Sequence, residues 1–314
     1  MTLNKRITLL FTLIALISFS AIASENPLWL RYPSISPDGE SIVFCYQGDI
    51  YKVSSGGGTA TPVTSHVAYD YKPVWAHDGS KIAYASDRFG NFDIYVVDKE
   101  GGKPQRLTFH SSNEIPNSFT PDNLSVLYSS SLQDKASNVM YPSSMLSELY
   151  QVSTETKNII QVLTTPAEEA KMTKDGGFIY YQDRKGYEDK WRKHHKSAVT
   201  RDLWVLDRTT GNHKKITGFN GEDRWPVLDK EEMNLYFLTE RFNDNFNIGR
   251  MAINKAGEEF GDAEQITFFE NHPVRFISIS NNNTLCFSYN GEIYTQKPGS
   301  EPEKLTVEIN TDYK

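Results

Sequence analysis

Apolar residues in this chain come in short runs bracketed by polar turns, and the runs repeat. One set is β-branched and aromatic: Ser41-Ile42-Val43-Phe44, Lys81-Ile82-Ala83-Tyr84, Phe178-Ile179-Tyr180-Tyr181 and Leu235-Tyr236-Phe237. A second set opens on an acid or amide, then an aliphatic residue and usually an aromatic one. It reads Asp49-Ile50-Tyr51, Asp93-Ile94-Tyr95, Glu148-Leu149-Tyr150, Asp202-Leu203-Trp204, Asn247-Ile248-Gly249 and Glu292-Ile293-Tyr294. A third set closes on Val63-Thr64, Leu107-Thr108, Val162-Leu163, Ile216-Thr217, Ile266-Thr267 and Leu305-Thr306. Runs of this length and composition predict strands.

A turn precedes each unit. It reads Ser36-Pro37-Asp38-Gly39, Ala76-His77-Asp78-Gly79, Thr120-Pro121-Asp122-Asn123 and Thr173-Lys174-Asp175-Gly176, then decays to Asp229-Lys230-Glu231-Glu232 and Ser280-Asn281-Asn282-Asn283. Proline presets φ, aspartate bonds its own backbone and glycine accepts a left-handed conformation, so each turn joins two strands as a hairpin. The turns fall 40, 44, 53, 56 and 51 residues apart. Four strands in about 40–50 residues make a propeller blade, whereas a β-solenoid repeats over roughly 20–30. A lone blade cannot bury both faces, so blades stack around an axis. The predicted fold is all-β: a six-bladed β-propeller of four-stranded antiparallel blades, over 30–66, 67–110, 111–165, 166–219, 220–269 and 270–308. Counted from Tyr32, every unit contains its own four strands. The ring is therefore expected to close by packing alone, without a borrowed strand, unless Pro27-Leu28-Trp29-Leu30 adds an edge. The seam between blades one and six is then the weakest interface.

Ahead of the repeats, Lys5 and Arg6 precede an apolar run from Ile7 to Phe19 and then Ala21-Ile22-Ala23. This is the pattern of a secretory signal peptide over 1–23, cleaved after Ala23, with the propeller over 24–314 and no membrane span after cleavage. The mature chain of 291 residues suits six blades, and losing Lys5 and Arg6 moves its formal charge from −7 to −9. An acidic exported protein is a poor candidate for nucleic acid or an anionic membrane. The chain has two cysteines, Cys45 and Cys286, in blades one and six. Repeat alignment sets Cys45 opposite Ser288 and Cys286 opposite Val43. We expect opposite side-chain parity and buried free thiols rather than a disulfide.

Motifs of chemistry are missing. There is no Gly-x-Ser-x-Gly elbow, phosphate loop, dinucleotide fingerprint or His-Glu-x-x-His. Adjacent His194 and His195 would point to opposite sides of a strand, and the turn aspartates stand singly, so no metal and no cofactor is expected. Asp87-Arg88 and Glu240-Arg241 recur at one repeat position and read as structural pairs between blades. Two long insertions, about Ser131–Ser147 and Asp183–Arg201, fall on the face opposite the turns. The second holds Lys190, Trp191, Arg192, His194 and His195, a basic and aromatic loop that reads either as a docking element or as a solvated lid tied to Glu188 and Asp189. Repeat alignment also places Arg31, Tyr71, Glu114, Glu168, Arg224 and Arg275 at the starts of the six innermost strands. They are expected around the channel mouth, arginines on blades five, six and one and glutamates on three and four. Such a mouth could orient a peptide. The plainer reading pairs several of them with loop charges.

The Pro-Asp-Gly turns, the segment Ser86-Asp87-Arg88-Phe89-Gly90-Asn91-Phe92-Asp93-Ile94-Tyr95 and the Leu-Thr closures resemble the repeats of TolB-type propellers. Asn26 to Pro33, Arg184 to Asp189 with Trp191 to His195, and Gly291 to Gly299 resemble more closely the N-terminal six-bladed propeller of tricorn-like serine peptidases from Bacteroidetes. The resemblance spans essentially the whole mature chain. It implies a periplasmic location and a non-catalytic propeller that filters or channels peptides for a PDZ-containing peptidase core. That family's catalytic serine, histidine and glutamate have no counterpart here. The partners implied are peptides or the peptidase core. A stand-alone protein-binding scaffold like TolB is the alternative.

Overall fold

The computed structural model describes residues 27–132, 146–186, 194, 196–254 and 259–310. Among these, no helix is long and apolar enough to cross a membrane. Six sheets carry four antiparallel strands each, in sequence order from the axis outwards. Their innermost strands are Arg31–Ile35, Asp70–Trp75, Glu114–Phe119, Ala167–Met172, Asp223–Leu228 and Val274–Ile279. Each packs against the next around the ring, and the first packs against the last. The six-bladed propeller is as expected from the repeat.

The turn chemistry is visible bond by bond. Asp38, Asp78, Asp122 and Asp175 each accept the backbone N–H two residues on, at 2.8–3.0 Å. The fourth turn residue has positive φ in every blade: Gly39, Gly79, Asn123, Gly176, Glu232 and Asn283. The non-glycine ones are not merely decayed. Asn123, Glu232 and Asn283 accept the N–H of His77, Lys174 and Lys230 from the preceding blade's turn. Pro37 and Pro121 have no N–H to offer, and the turns after them keep glycine, Gly79 and Gly176. Closing threonines have a matching role. Thr64, Thr108, Thr217 and Thr267 accept the N–H of Ile50, Ile94, Leu203 and Ile248 at 2.8–3.0 Å and are buried.

Apolar clusters lie between neighbouring blades. Val43, Cys45 and Ile50 meet Trp75, Ile82 and Tyr84 of blade two, while Ile42 and Phe44 meet Cys286 and Ile293 of blade six. Both thiols are free and buried. The parity expectation needs correcting. Both side chains point to the following blade, Cys45 to blade two and Cys286 to blade one, so blade one lies between them.

Closure also differs from expectation. Each blade has its own four strands, but Val307–Ile309 crosses the seam and pairs in parallel with blade one's outer strand, Gly58–Pro62. Val307 and Leu305 join the seam cluster. Pro27–Leu30 forms no strand; Leu30 instead donates its N–H to Gly291 and accepts from the Ser288 hydroxyl in blade six. The seam thus carries backbone bonds from both ends of the ring. In the Asp87-Arg88 and Glu240-Arg241 repeat the arginine ion pairs lie within blades, Arg88 to Asp70 at 2.8 Å and Arg241 to Asp223 at 2.7 Å, while Glu240 reaches blade four by accepting the His194 N–H.

Candidate binding site: an occluded axial channel

All six innermost strands slip register near their start. In five blades the residue at the slip has a left-handed backbone: Tyr32, Lys72, Glu169, Trp225 and Phe276, with φ between 54° and 58°. Bulky residues are rare there, at about 1–3 kcal/mol each, and such strain concentrates at functional sites. Blade three has Pro116 at the corresponding place. Its ring forbids positive φ, and Asn117 is the residue left unpaired.

These bulges aim five long side chains at the axis. Tyr32 lies 4.2 Å from Phe276 and 6.4 Å from Trp225, centroid to centroid, and Trp225 lies 5.4 Å from Phe276. Lys72 Nζ binds Glu169 Oε1 at 2.6 Å, with both side chains under a tenth exposed. That pair joins blades two and four across the front of blade three, where Pro116 leaves room. Lys72 also stands 5.4 Å from the Trp225 ring in blade five, a cation–π contact across the axis. Burial, and secondarily the Glu169 charge, holds the Tyr32 phenol above its ordinary pKa. The five residues line two cavities at once: a funnel of about 450 Å³ opening among the turns and a pocket of about 70 Å³ towards the other face. They form a septum across the channel.

The funnel wall is lysine-rich. Lys171 donates to the Asn117 carbonyl, and burial lowers its pKa to about 8, with Lys72 adding to the effect and Glu169 opposing it. Asn117 is itself anchored, donating to Ser129 at 2.7 Å and accepting the Glu169 N–H at 3.2 Å. His77, beside the Phe119 carbonyl at 3.1 Å, has its pKa lowered by burial. Lys174 and Lys230 stand at the rim.

Of the six residues expected at the opposite mouth, Tyr71, Glu168, Arg224 and Arg275 line the small pocket. Arg31 does not; its guanidinium lies 5.5 Å from the Trp29 ring. Glu114 was aligned one residue early, and Ile115 occupies the mouth position instead. A one-residue shift reverses a strand's face, so Glu114 corresponds to Asp70 and Asp223 and is fully buried. Its carboxyl lies beside the Thr108 hydroxyl and the Asp93 carboxyl and forms no ion pair among the described residues. Burial raises its pKa to about 8, and the nearby Asp93 charge adds to the rise. Arg224 and Arg275 stand on blades five and six and Glu168 on blade four. Between blades four and five the charges alternate in a chain: Arg184–Glu168 at 3.0 Å, Glu168–Arg201 at 3.8 Å, Arg201–Glu222 at 3.5 Å and Glu222–Arg224 at 2.6 Å.

In the basic loop, Lys190, Trp191, Arg192 and His195 lie outside the described residues. His194 is exposed, and its backbone N–H donates to Glu240 at 2.9 Å. Among the described residues no group of three or more His, Cys, Asp or Glu is placed to hold a metal ion. In the sequence, the septum is marked one position beyond the mouth residues, where Tyr32, Lys72, Pro116, Glu169, Trp225 and Phe276 are all bulky or cyclic.

Comparison with known proteins agrees with this geometry. Residues 27–302 match the family model described as the tricorn protease N-terminal β-propeller domain. Tricorn protease homolog 1 of Streptomyces coelicolor is 34% identical over 86 residues, which is 27% of this chain and 8% of that protein. A TolB homolog of Chlorobium luteolum is 38% identical over 55 residues, covering 18% of this chain and 13% of the relative. The crystal structure of the tricorn protease superposes with a TM-score of 0.72 at 22% identity, over 88% of this chain and 26% of that one. TolB of Acinetobacter baumannii superposes at 0.57 with 16% identity, over 94% and 70%. The chain thus matches about a quarter of the tricorn structure's length and smaller parts of the curated relatives. On the family match over residues 27–302, the chain belongs to the tricorn protease N-terminal β-propeller family.

Proposed function

We propose that this chain is the peptide-handling propeller of an exported, tricorn-like peptidase. It gates peptides at its axial channel, while hydrolysis belongs to a separate peptidase core. The observation that carries this reading is the septum. Five side chains held on strained bulges close the axis between a funnel and a mouth pocket. Side chains can swing aside while the blades stay packed, so the arrangement suits a gate. The periplasm is the proposed location, reached through cleavage after Ala23. The mouth and the basic loop with Lys190, Trp191, Arg192, His194 and His195 are proposed as the surface that meets the core. A TolB-like scaffold is the second reading, supported by the likeness to TolB propellers.

Wild-type protein and Trp225→Ala are to be titrated with short unstructured peptides by calorimetry and assayed for peptidase activity. The expectation is weak peptide binding that changes at least about threefold in Trp225→Ala, with no hydrolysis. Binding of folded envelope proteins without any peptide binding would favour the scaffold. Intrinsic hydrolysis would overturn both readings.

A further inference from the structure

The septum's charges do not balance on the funnel side. Lys72 is matched by Glu169 at 2.6 Å. Lys171, two residues further along the same strand as Glu169, adds a second ammonium to this cluster. An ammonium has three donors. The hydrogen bond found for Lys171 among the described residues goes to the neutral Asn117 carbonyl. Glu169, the acid nearest in charge effect, is already held by Lys72. A half-buried cation without its own counter-ion is costly to keep charged, and the lowered pKa of Lys171 reflects that cost.

The funnel's other acids are engaged elsewhere. Asp229 accepts the N–H groups of Met233 and Asn234, and Glu232 accepts that of Lys174. The rim lysines, Lys174 and Lys230, offset the Asp229 and Glu232 charges, so the funnel's excess cation is Lys171. The remaining wall mixes apolar Val74, Trp75, Met172 and Val227 with neutral polar residues such as Ser118 and Asn281. A cavity of about 450 Å³ with mixed apolar and polar walls and an uncompensated cation in its wall suits an extended peptide segment that ends in, or carries, an anionic group.

We propose that the funnel is a carboxylate seat: Lys171 in its wall binds a carboxylate of a peptide inserted from the turn face, near the Lys72–Glu169 pair. This rests on the peptide reading above and names its ligand chemistry. The carboxylate can come from a peptide C-terminus or from an acidic side chain, and a partly buried ammonium attracts it more strongly than a fully exposed one.

The test uses the purified full chain and three penta-alanine peptides: free C-terminal acid, C-terminal amide, and the amide with one internal glutamate. Calorimetry on wild type and Lys171→Met reads the result. At least one carboxylate-bearing peptide is expected to bind about tenfold or more tightly than the plain amide in wild type, and Lys171→Met is expected to erase the difference. Whichever carboxylate peptide gains identifies the source. Equal binding of all three to wild type overturns the seat and leaves the peptide reading standing. A preference that survives in Lys171→Met does the same. Failure of all three to bind sinks both. Should Lys171→Met fail to fold, the wild-type comparison decides alone, supplemented by Lys171→Arg, which keeps the charge and is expected to keep the preference.

Discussion

Glu114 shows how much a single residue's surroundings decide. It starts an innermost strand, as Asp70 and Asp223 do, but Arg88 and Arg241 bind those two acids, while Glu114 has no ion-pair partner among the described residues and lies beside the Asp93 carboxyl. Its pKa rises to about 8, mainly through burial, so it is largely protonated in the folded state at neutral pH. The sign of the linkage follows from the raised value. The folded protein binds more protons than the unfolded chain between about pH 4.5 and 8, so Glu114's contribution to stability is fully present below this window and is lost as pH rises through it. Glu114→Gln mimics the protonated form. It is expected to flatten stability across that window and to raise it at pH 8.5 by about 1–3 kcal/mol, the scale of an unsatisfied buried polar group. Urea unfolding of both proteins at pH 5 and 8.5 checks this; equal pH slopes would remove Glu114 as the source.

Elements show which local rules survive assembly. Strand type and hairpin chemistry were legible, because Asp38, Asp78, Asp122 and Asp175 bond backbone within their own turns. Cross-blade partners were not. The left-handed Asn123, Glu232 and Asn283 look like erosion of a glycine until the neighbouring turn's N–H is seen to meet each one. The closing strand was hidden for a similar reason. Val307–Ile309 is short and follows a complete blade, and its partner Gly58–Pro62 lies some 250 positions earlier in the chain. Gly57 makes the approach feasible, since a Cβ there would stand 2.6 Å from the Thr306 carbonyl oxygen. Deleting the chain after Thr306 removes the parallel pairing and the buried Val307. A loss of about 2–3 kcal/mol is expected, chiefly from Val307 burial, and chemical denaturation measures it. Unchanged stability would mean that packing alone holds the seam.

At the scale of the whole molecule, the ring brings together residues that no blade contains. Lys72 and Glu169 come from non-adjacent blades, and their ion pair exists only because the channel is narrow at that level. Lys72→Met removes the ion-pair partner of buried Glu169 and leaves only the Lys171 ammonium near it, with an expected cost of up to about 3 kcal/mol; Lys72→Met with Glu169→Gln should recover much of it. Denaturant unfolding of the single and double variants reads this. Additive losses would show that the pair does not couple.

What the amino-acid order determined alone was everything set by neighbours in the chain. The alternation of short β-branched runs, the turn aspartates and the closing threonines define a blade, and their sixfold return defines a propeller. Those interactions span a few residues, so local propensity and hydrogen bonding are enough to read them. Tertiary structure alone decided how the ring seals and what stands on its axis. Closure depends on a strand meeting an edge at the far end of the chain. The septum depends on bulges that turn Tyr32, Lys72, Glu169, Trp225 and Phe276 inward from five different blades. Bulges break the two-residue period on which strand alignment relies, which is why Glu114 was misplaced by one residue and the septum, one position further along, was passed over.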